Sequence, residues 1–595
     1  MSAHKNFFLN VKQSIVGQSW VERLDLSGTN NALAISQKYG LSDQLARVLS
    51  GRGVDESEAV SFLSPTIKAL MPDPKTLTDM EKAAKRIVQA IQKNEHVAIF
   101  GDYDVDGACS SALLAKFLKF YGIKSRIYIP DRLLEGYGPN PQAMKMLVKE
   151  GANLIITVDC GANSSEAIEA ACQEGADVVV LDHHQMGLEV PQAANALVNP
   201  NRPDDLSGQG HLCAAGVVFL AIVEISRQLR NLGKKVPELL SFLDLVALAT
   251  VCDVVPLQGV NRAFVVKGIQ VARMQQNLGL MALTRVAKID SPLNCFHFGY
   301  LLGPRINAGG RIGDQALGAK LLSTDDLEEA ETIATELNRL NQERQVIETA
   351  QLEEAEAQLF FETQDTQSHS AIVVANKDWH PGIVGLLAAR LKERFSCPAI
   401  AIALKEDGMG SGSARSIKGL DIGALVRKAT EEGLLIKGGG HTMAAGLTIS
   451  LAKVDEFRDW LQKEVAQKVN ELNVVRTLQV DGALIASGVT VEVSEMLEQA
   501  GPFGSGNPEP IFVLPNHKIV NVREVGTGHL SVDVADNNGT RLKAIAFRCV
   551  GSPLGDFLIA NNGQSIHLAG ALGVNHWNGR VTPQLRIVDA AKPMA

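Results

Sequence analysis

The stretch LIITVDCGANSSEAIEAACQEGADVVVLDHH, residues 154–184, holds two short apolar runs separated by a segment of helical character. The first run ends on Asp159 and the second on the triplet Asp182-His183-His184. An apolar run, a helix and a second apolar run within about 30 residues predict a βαβ unit with parallel strands. Moving outward, HVAIFGDYD (96–104) and KSRIYIPD (124–131) are further strands, and DMEKAAKRIVQAIQKN (79–94), CSSALLAKFLKFYG (109–122) and PQAMKMLVKEG (141–151) are helices. The alternation predicts an α/β fold with a doubly wound, mainly parallel sheet. Ligands of such sheets bind beyond the carboxyl ends of the strands, so acids and imidazoles placed there converge.

The rest of the chain divides by pattern. Residues 325–361 lack Gly and Pro and are rich in Glu, Gln, Ala and Leu, which predicts one long connecting helix. A second α/β block follows at about 369–470, and from about 475 short strands broken by Gly, Asn and Pro predict an all-β barrel or sandwich. The expected boundaries are an N-terminal segment 1–75 of unassigned role, an α/β domain 76–320, the helix 321–364, a second α/β domain 365–472 and the β domain 473–595. At 595 residues several domains are expected, and 46% hydrophobic with 21% charged residues is ordinary for globular protein. There is no signal-peptide pattern and no apolar stretch of membrane-spanning length, and the eight cysteines include no CxxC pair. These features predict a cytoplasmic protein with reduced thiols. A net charge of −9 argues against a generally basic nucleic-acid coat but leaves room for a local basic groove.

GDYDVDG (101–107) sets Asp102, Asp104 and Asp106 at alternate positions. So many like charges in one turn are unfavourable without a cation. Taken alone, the turn is equally a solvated acidic loop or a helix N-cap. Asp159, His183, His184 and Asp253, the last after DLVALATVC, sit at further element ends and favour the metal reading. Carboxylate and imidazole ligands without thiolate suit Mn²⁺ or Mg²⁺. Two such ions would clamp a phosphoryl group and activate water, with Asp159 the candidate shared ligand. The prediction is a dinuclear phosphoesterase.

This set resembles the DHH phosphoesterase superfamily. GDYDVDG, PDRLLEGYG, ITVDCG, DHH, ATVCDVVPL, GPRINAGGR, DWHPGIVG, SGSARS and GGGHTMAAG occur in the order of its RecJ family of single-strand-specific 5′→3′ DNA exonucleases. The resemblance runs from about residue 76 to the end. It implies a DHH domain, a connecting helix, a DHHA1 domain and a C-terminal OB-fold. It also implies two divalent cations, with Asp159 bridging, Asp106, His183 and Asp253 on one ion and Asp104 on the other. Family members often carry a histidine where this chain has Phe100, so Asp102 either replaces it as ligand or orders the loop. His184 is implied to face the scissile phosphate, stabilising charge or assisting proton transfer.

Arg132, Arg311, Ser413, Arg415 and His441 are the expected substrate-binding residues. Arg305 is expected in an internal ion pair, and the Gly-rich GSGSARS (410–416) and KGGGH (437–441) as turns whose amides form anion nests. The resemblance assigns Ser413 and Arg415 to a 5′-terminal phosphate. Trp379 and His380 either stack on bases or belong to the core, and few aromatics of the β tail (Phe503, Phe512, Phe547, Trp577) are available for stacking. The expected partners are single-stranded DNA, a single-strand-binding protein and a DNA helicase, in recombinational and mismatch repair, with the chain a monomer. The alternatives are a small-substrate phosphoesterase acting on pyrophosphate, nanoRNA or cyclic dinucleotides, and a scaffold without catalysis.

Overall fold

The computed structural model describes residues 7–131, 135–136, 138–187, 189–362, 370–472, 476–577 and 580–593. The chain forms two compact units. One comprises Pro72–Asp253 and Lys267–Val474, the other Met1–Met71, Val254–Val266 and Val475–Ala595.

In the first unit, five parallel strands lie in the order Arg126–Tyr128, Val97–Phe100, Leu154–Val158, Asp177–Leu181, Ala196–Val198. The first strand in sequence therefore lies between the second and third, which makes a topological switch point beside Leu154–Val158. The register pairs Phe100 with Thr157, and Val158 with Leu181, so the carboxyl ends are nearly level. The three inner strands are almost wholly buried, as near-continuous apolar sequence requires of a covered parallel sheet.

The connecting helix runs Leu327–Glu362. Beyond it lies a sheet in the order Lys437–His441, Ala444–Ser450, Met409–Arg415, Ala399–Leu404, Ile372–Asn376, with only the last pair parallel. GSGSARS and KGGGH are thus strands rather than turns. Met409–Arg415 is paired on both sides, so its amides serve the ladder and form no nest. Its glycines serve packing instead: a Cβ on Gly410 would come 2.7 Å from Ile402, and one on Gly412 would come 2.8 Å from Leu447.

The second unit contains a six-stranded sheet from Gly482–Ala483 to Arg580–Ala591. It closes into a barrel because Ser565–Trp577 pairs with both Arg580–Ala591 and Phe512–Val525. The N-terminal segment, without an assigned role in the sequence, belongs to this unit. Ser19–Glu22 pairs in parallel with Thr477–Val480. Trp20 is fully buried and donates its indole N–H to Asp589 at 2.8 Å. Ile35, Leu45 and Leu49 share one core with Phe512, Val532 and Leu568 of the barrel. Burying each is worth roughly 1.5–3 kcal/mol. Among the described residues, no helix is long and apolar enough to cross a membrane.

Candidate metal centre and phosphate site

The loop after Val97–Phe100 turns at once into the helix Val105–Phe120, capped by Asp104, whose carboxylate accepts from the amides of Asp106 and Gly107. The capping reading is therefore correct for Asp104, and it coexists with the cluster. Asp102, Asp104 and Asp159 bring one carboxylate oxygen each within 4.8 Å of one another, and so do ligand atoms of Asp106, His183 and Asp253. A third overlapping group joins Asp159, His183 and His184. All six expected ligand positions are brought together, and Asp159 and His183 connect the groups.

The tautomer of His183 is decided by its partner. Nδ1 lies 3.0 Å from the Leu212 carbonyl, which can only accept, so Nδ1 carries a proton and Nε2 is the ring atom turned to the acidic cluster. Nε2 is buried without a hydrogen bond, 3.4 Å from Asp159, 3.6 Å from Asp253 and 3.7 Å from Asp106. An imidazole nitrogen gathered with three carboxylates forms an N/O donor set that fits Mn²⁺ or Mg²⁺. Burial, reinforced by the neighbouring aspartates, drives the Asp159 carboxyl well above the ordinary range and raises Asp253 likewise. Asp106 is also raised by burial, although the two amides that begin the helix Ala214–Asn231 donate to it at 2.6 and 2.8 Å.

Residues the sequence left without a role complete the centre. Asp182 accepts from His184 Nδ1 at 2.8 Å and from the amides of Ala162, His183 and His184. Burial lowers the His184 pKa, but the hydrogen bond and charge of Asp182 outweigh it and lift His184 to about 9. Asn199 and Asn201 donate their amides to the carbonyls of His184 and His183, clamping the triplet from behind. Their signal was position: VNPN (198–201) straddles the end of the fifth strand, as the acids follow theirs.

GPRINAGGR forms the helix Gly303–Ile312. Its glycines admit neighbours, since a Cβ on Gly310 would lie 2.8 Å from Tyr103 and one on Gly303 would lie 2.6 Å from Cys252 Sγ. Arg305 bonds to Asn338 and to the Leu301 carbonyl, and among the described residues it makes no ion pair, unlike the expectation. Arg311 donates to the Gly382 carbonyl at 3.1 Å, leading to the start of the helix Val384–Phe395. There a Cβ on Gly385 would come 3.1 Å from both Ser413 and Arg415, whose side chains bond to each other at 3.0 Å. Ser413, Arg415 and a helix N-terminus thus face one spot, a favourable setting for an anion. His441 is exposed and in register with Ala444, which pairs with Arg415. Trp379 is buried and donates to Glu354 at 2.8 Å, so it belongs to the core. His380 accepts from the Gly382 amide, Phe512 is buried and Phe547 exposed. Arg132 lies outside the described residues.

Three family models match the chain: the DHH family N-terminal domain at 96–250, the DHHA1 domain at 368–467 and the RecJ OB domain at 480–589. The single-stranded-DNA-specific exonuclease RecJ of Bacillus subtilis is 34% identical over 561 residues, 94% of this chain and 69% of that protein. That of Dickeya dadantii is 36% identical over 559 residues, 91% and 95% of the two chains. The crystal structure of RecJ from Thermus thermophilus in complex with Mn²⁺ superposes with a TM-score of 0.78 at 28% identity, covering 96% of this chain and 79% of that one.

Proposed function

The chain belongs to the RecJ family of single-stranded-DNA-specific exonucleases, and from that premise we propose that it hydrolyses single-stranded DNA from the 5′ end, releasing 5′-mononucleotides. The observation that carries this reading is His183 Nε2, buried and 3.4–3.7 Å from carboxylate oxygens of Asp106, Asp159 and Asp253. Two divalent cations, Mn²⁺ or Mg²⁺, supply charge neutralisation on the transferring phosphoryl group and activation of water when bound. Asp106, His183 and Asp253 would hold one of them and Asp102 and Asp104 the other, with Asp159 the shared ligand. The Leu212 carbonyl fixes the His183 tautomer, and Asp182 fixes the orientation of His184. His184, beside Asp159 and partly exposed, provides a positive charge or a proton at the scissile phosphate.

Ser413, Arg415 and the start of the helix Val384–Phe395 receive the 5′ phosphate, with Arg132, Arg311 and His441 holding the adjoining backbone. A terminal phosphate held at a fixed place makes cleavage proceed from one end. The reading extends to a cytoplasmic monomer acting with a helicase and a single-strand-binding protein in recombinational and mismatch repair.

The test is a time course on end-labelled oligonucleotides with Mn²⁺, Mg²⁺ or EDTA, comparing 5′-tailed, 3′-tailed and blunt DNA, with pyrophosphate as control. Mononucleotides released from 5′ tails and abolished by EDTA are expected. Turnover of pyrophosphate alone would refute the exonuclease reading.

A further inference from the structure

Phe296 and Tyr300 are 56% and 72% exposed, although aromatics make up only 5% of the chain. Their rings stack on each other with centroids 5.2 Å apart and planes at 26°. Among the described residues, none hydrogen-bonds to the Tyr300 hydroxyl. Both belong to a π-helical turn, His297–Leu302, and its preceding residue, a rare geometry that recurs at functional sites. The turn is rigidly set. Phe298 and Leu302 are fully buried, and Asn294 and His297 exchange hydrogen bonds across its start.

The inner side of this turn rests on the residues that lead into a candidate metal ligand. Cys252 Sγ donates to the Phe298 carbonyl at 3.3 Å, and a Cβ on Gly299 would meet Val251 at 3.6 Å. Asp253 is the next residue. Two guanidiniums are anchored at the two ends of the turn: Arg273 on the Leu293 carbonyl and Arg305 on the Leu301 carbonyl. An exposed aromatic stack on a turn that packs against the residue before Asp253, with guanidiniums bonded to carbonyls near both ends of that turn, matches one ligand chemistry above others, a nucleobase on a phosphate backbone. Trp379 and Phe512, aromatics named for that task from the sequence, are buried.

We propose that Phe296 and Tyr300 form a base-stacking platform for single-stranded nucleic acid beside the metal centre. The proposal rests on the exonuclease reading and adds where bases, rather than phosphates, are gripped. Stacking is indifferent to base identity, so the platform holds any sequence without pairing.

Anisotropy titrations in EDTA, with no cleavage, compare a labelled 5′-phosphorylated oligothymidylate with the same backbone made abasic. The double variant Phe296→Ala/Tyr300→Ala should bind the normal strand about tenfold or more weakly and the abasic strand as the unaltered protein does. Tyr300→Phe should bind both strands normally. With Mn²⁺, KM for the oligonucleotide should rise while kcat stays near that of the unaltered protein. Equal losses on both strands, or no loss on either, would overturn the platform. The exonuclease reading fails separately, if the unaltered protein with Mn²⁺ releases no nucleotide, and the EDTA titrations still decide the platform in that case.

Discussion

Gly310→Ala tests how the acidic loop is held. The added methyl lands 2.8 Å from both Cβ and Cδ2 of Tyr103, the residue between Asp102 and Asp104. Reaching an ordinary 3.4 Å contact requires an opening of about 0.6 Å. Overpacking of this kind costs roughly 1–3 kcal/mol, while alanine in place of a helical glycine returns about 1 kcal/mol. Net destabilisation should therefore be small, at most about 2 kcal/mol. The larger effect falls on the ligands, because displacing a reacting constellation by a fraction of an ångström to an ångström lowers rates by about 10- to 100-fold. Urea unfolding in EDTA and in Mn²⁺, paired with kcat/KM on a 5′-phosphorylated oligonucleotide, separates the two effects. The variant should lose much of the stabilisation that Mn²⁺ confers, and kcat/KM with it. Gly309→Ala is the control, since its methyl meets the Asp314 carbonyl at 3.0 Å and Leu337 at 3.2 Å and not the acidic loop. It should cost stability and leave the Mn²⁺ dependence alone. Full activity of Gly310→Ala, with unaltered Mn²⁺ dependence, would refute the idea that this helix sets the loop.

Asp159→Ala should abolish cleavage and leave oligonucleotide affinity in EDTA near normal; retained turnover removes the shared-ligand role. Arg415→Ala should erase any preference for a 5′-phosphorylated over a 5′-hydroxyl end in competition assays, and an intact preference relocates that site. Asp244, buried in the helix Leu243–Cys252, has its pKa raised by burial from 3.8 to about 6, against the opposing Leu245 amide. Its contribution is thus full below about pH 4 and is lost as pH rises through about 6, a penalty of about 3 kcal/mol at neutral pH. Asp244→Asn should accordingly be the more stable protein at pH 7.5 and lose that advantage near pH 4. Parallel stability curves for the two proteins would contradict this.

The parallel sheet and its acids were legible because each ligand candidate follows a buried apolar strand or helix, a local signal that tertiary contacts only reinforce. GSGSARS misled because glycines look like turn formers, whereas here they leave room for Ile402 and Leu447 over a strand. The space left by the glycines of GPRINAGGR could not be read locally either, since what fills it is Tyr103 and Cys252 from elsewhere in the sequence. Asn199 and Asn201 act through side-chain bonds to carbonyls, which leave no pattern in composition. The π-helical turn has no periodicity to read. The first 75 residues were opaque for a plainer reason, that Trp20 finds its partner at Asp589.

That last pairing carries a consequence for biosynthesis. Ser19–Glu22 emerges from the ribosome long before Thr477–Val480, the strand it pairs with. At about 5–20 residues per second, the wait is roughly 20–90 s. Through that interval Trp20, Ile35, Leu45 and Leu49 have no barrel to pack on, so the segment must stay unaggregated on its own or under a chaperone. An excised C-terminal piece beginning near residue 473 would meet the converse problem: it would expose the surface that Trp20 and the two helices after it are there to cover.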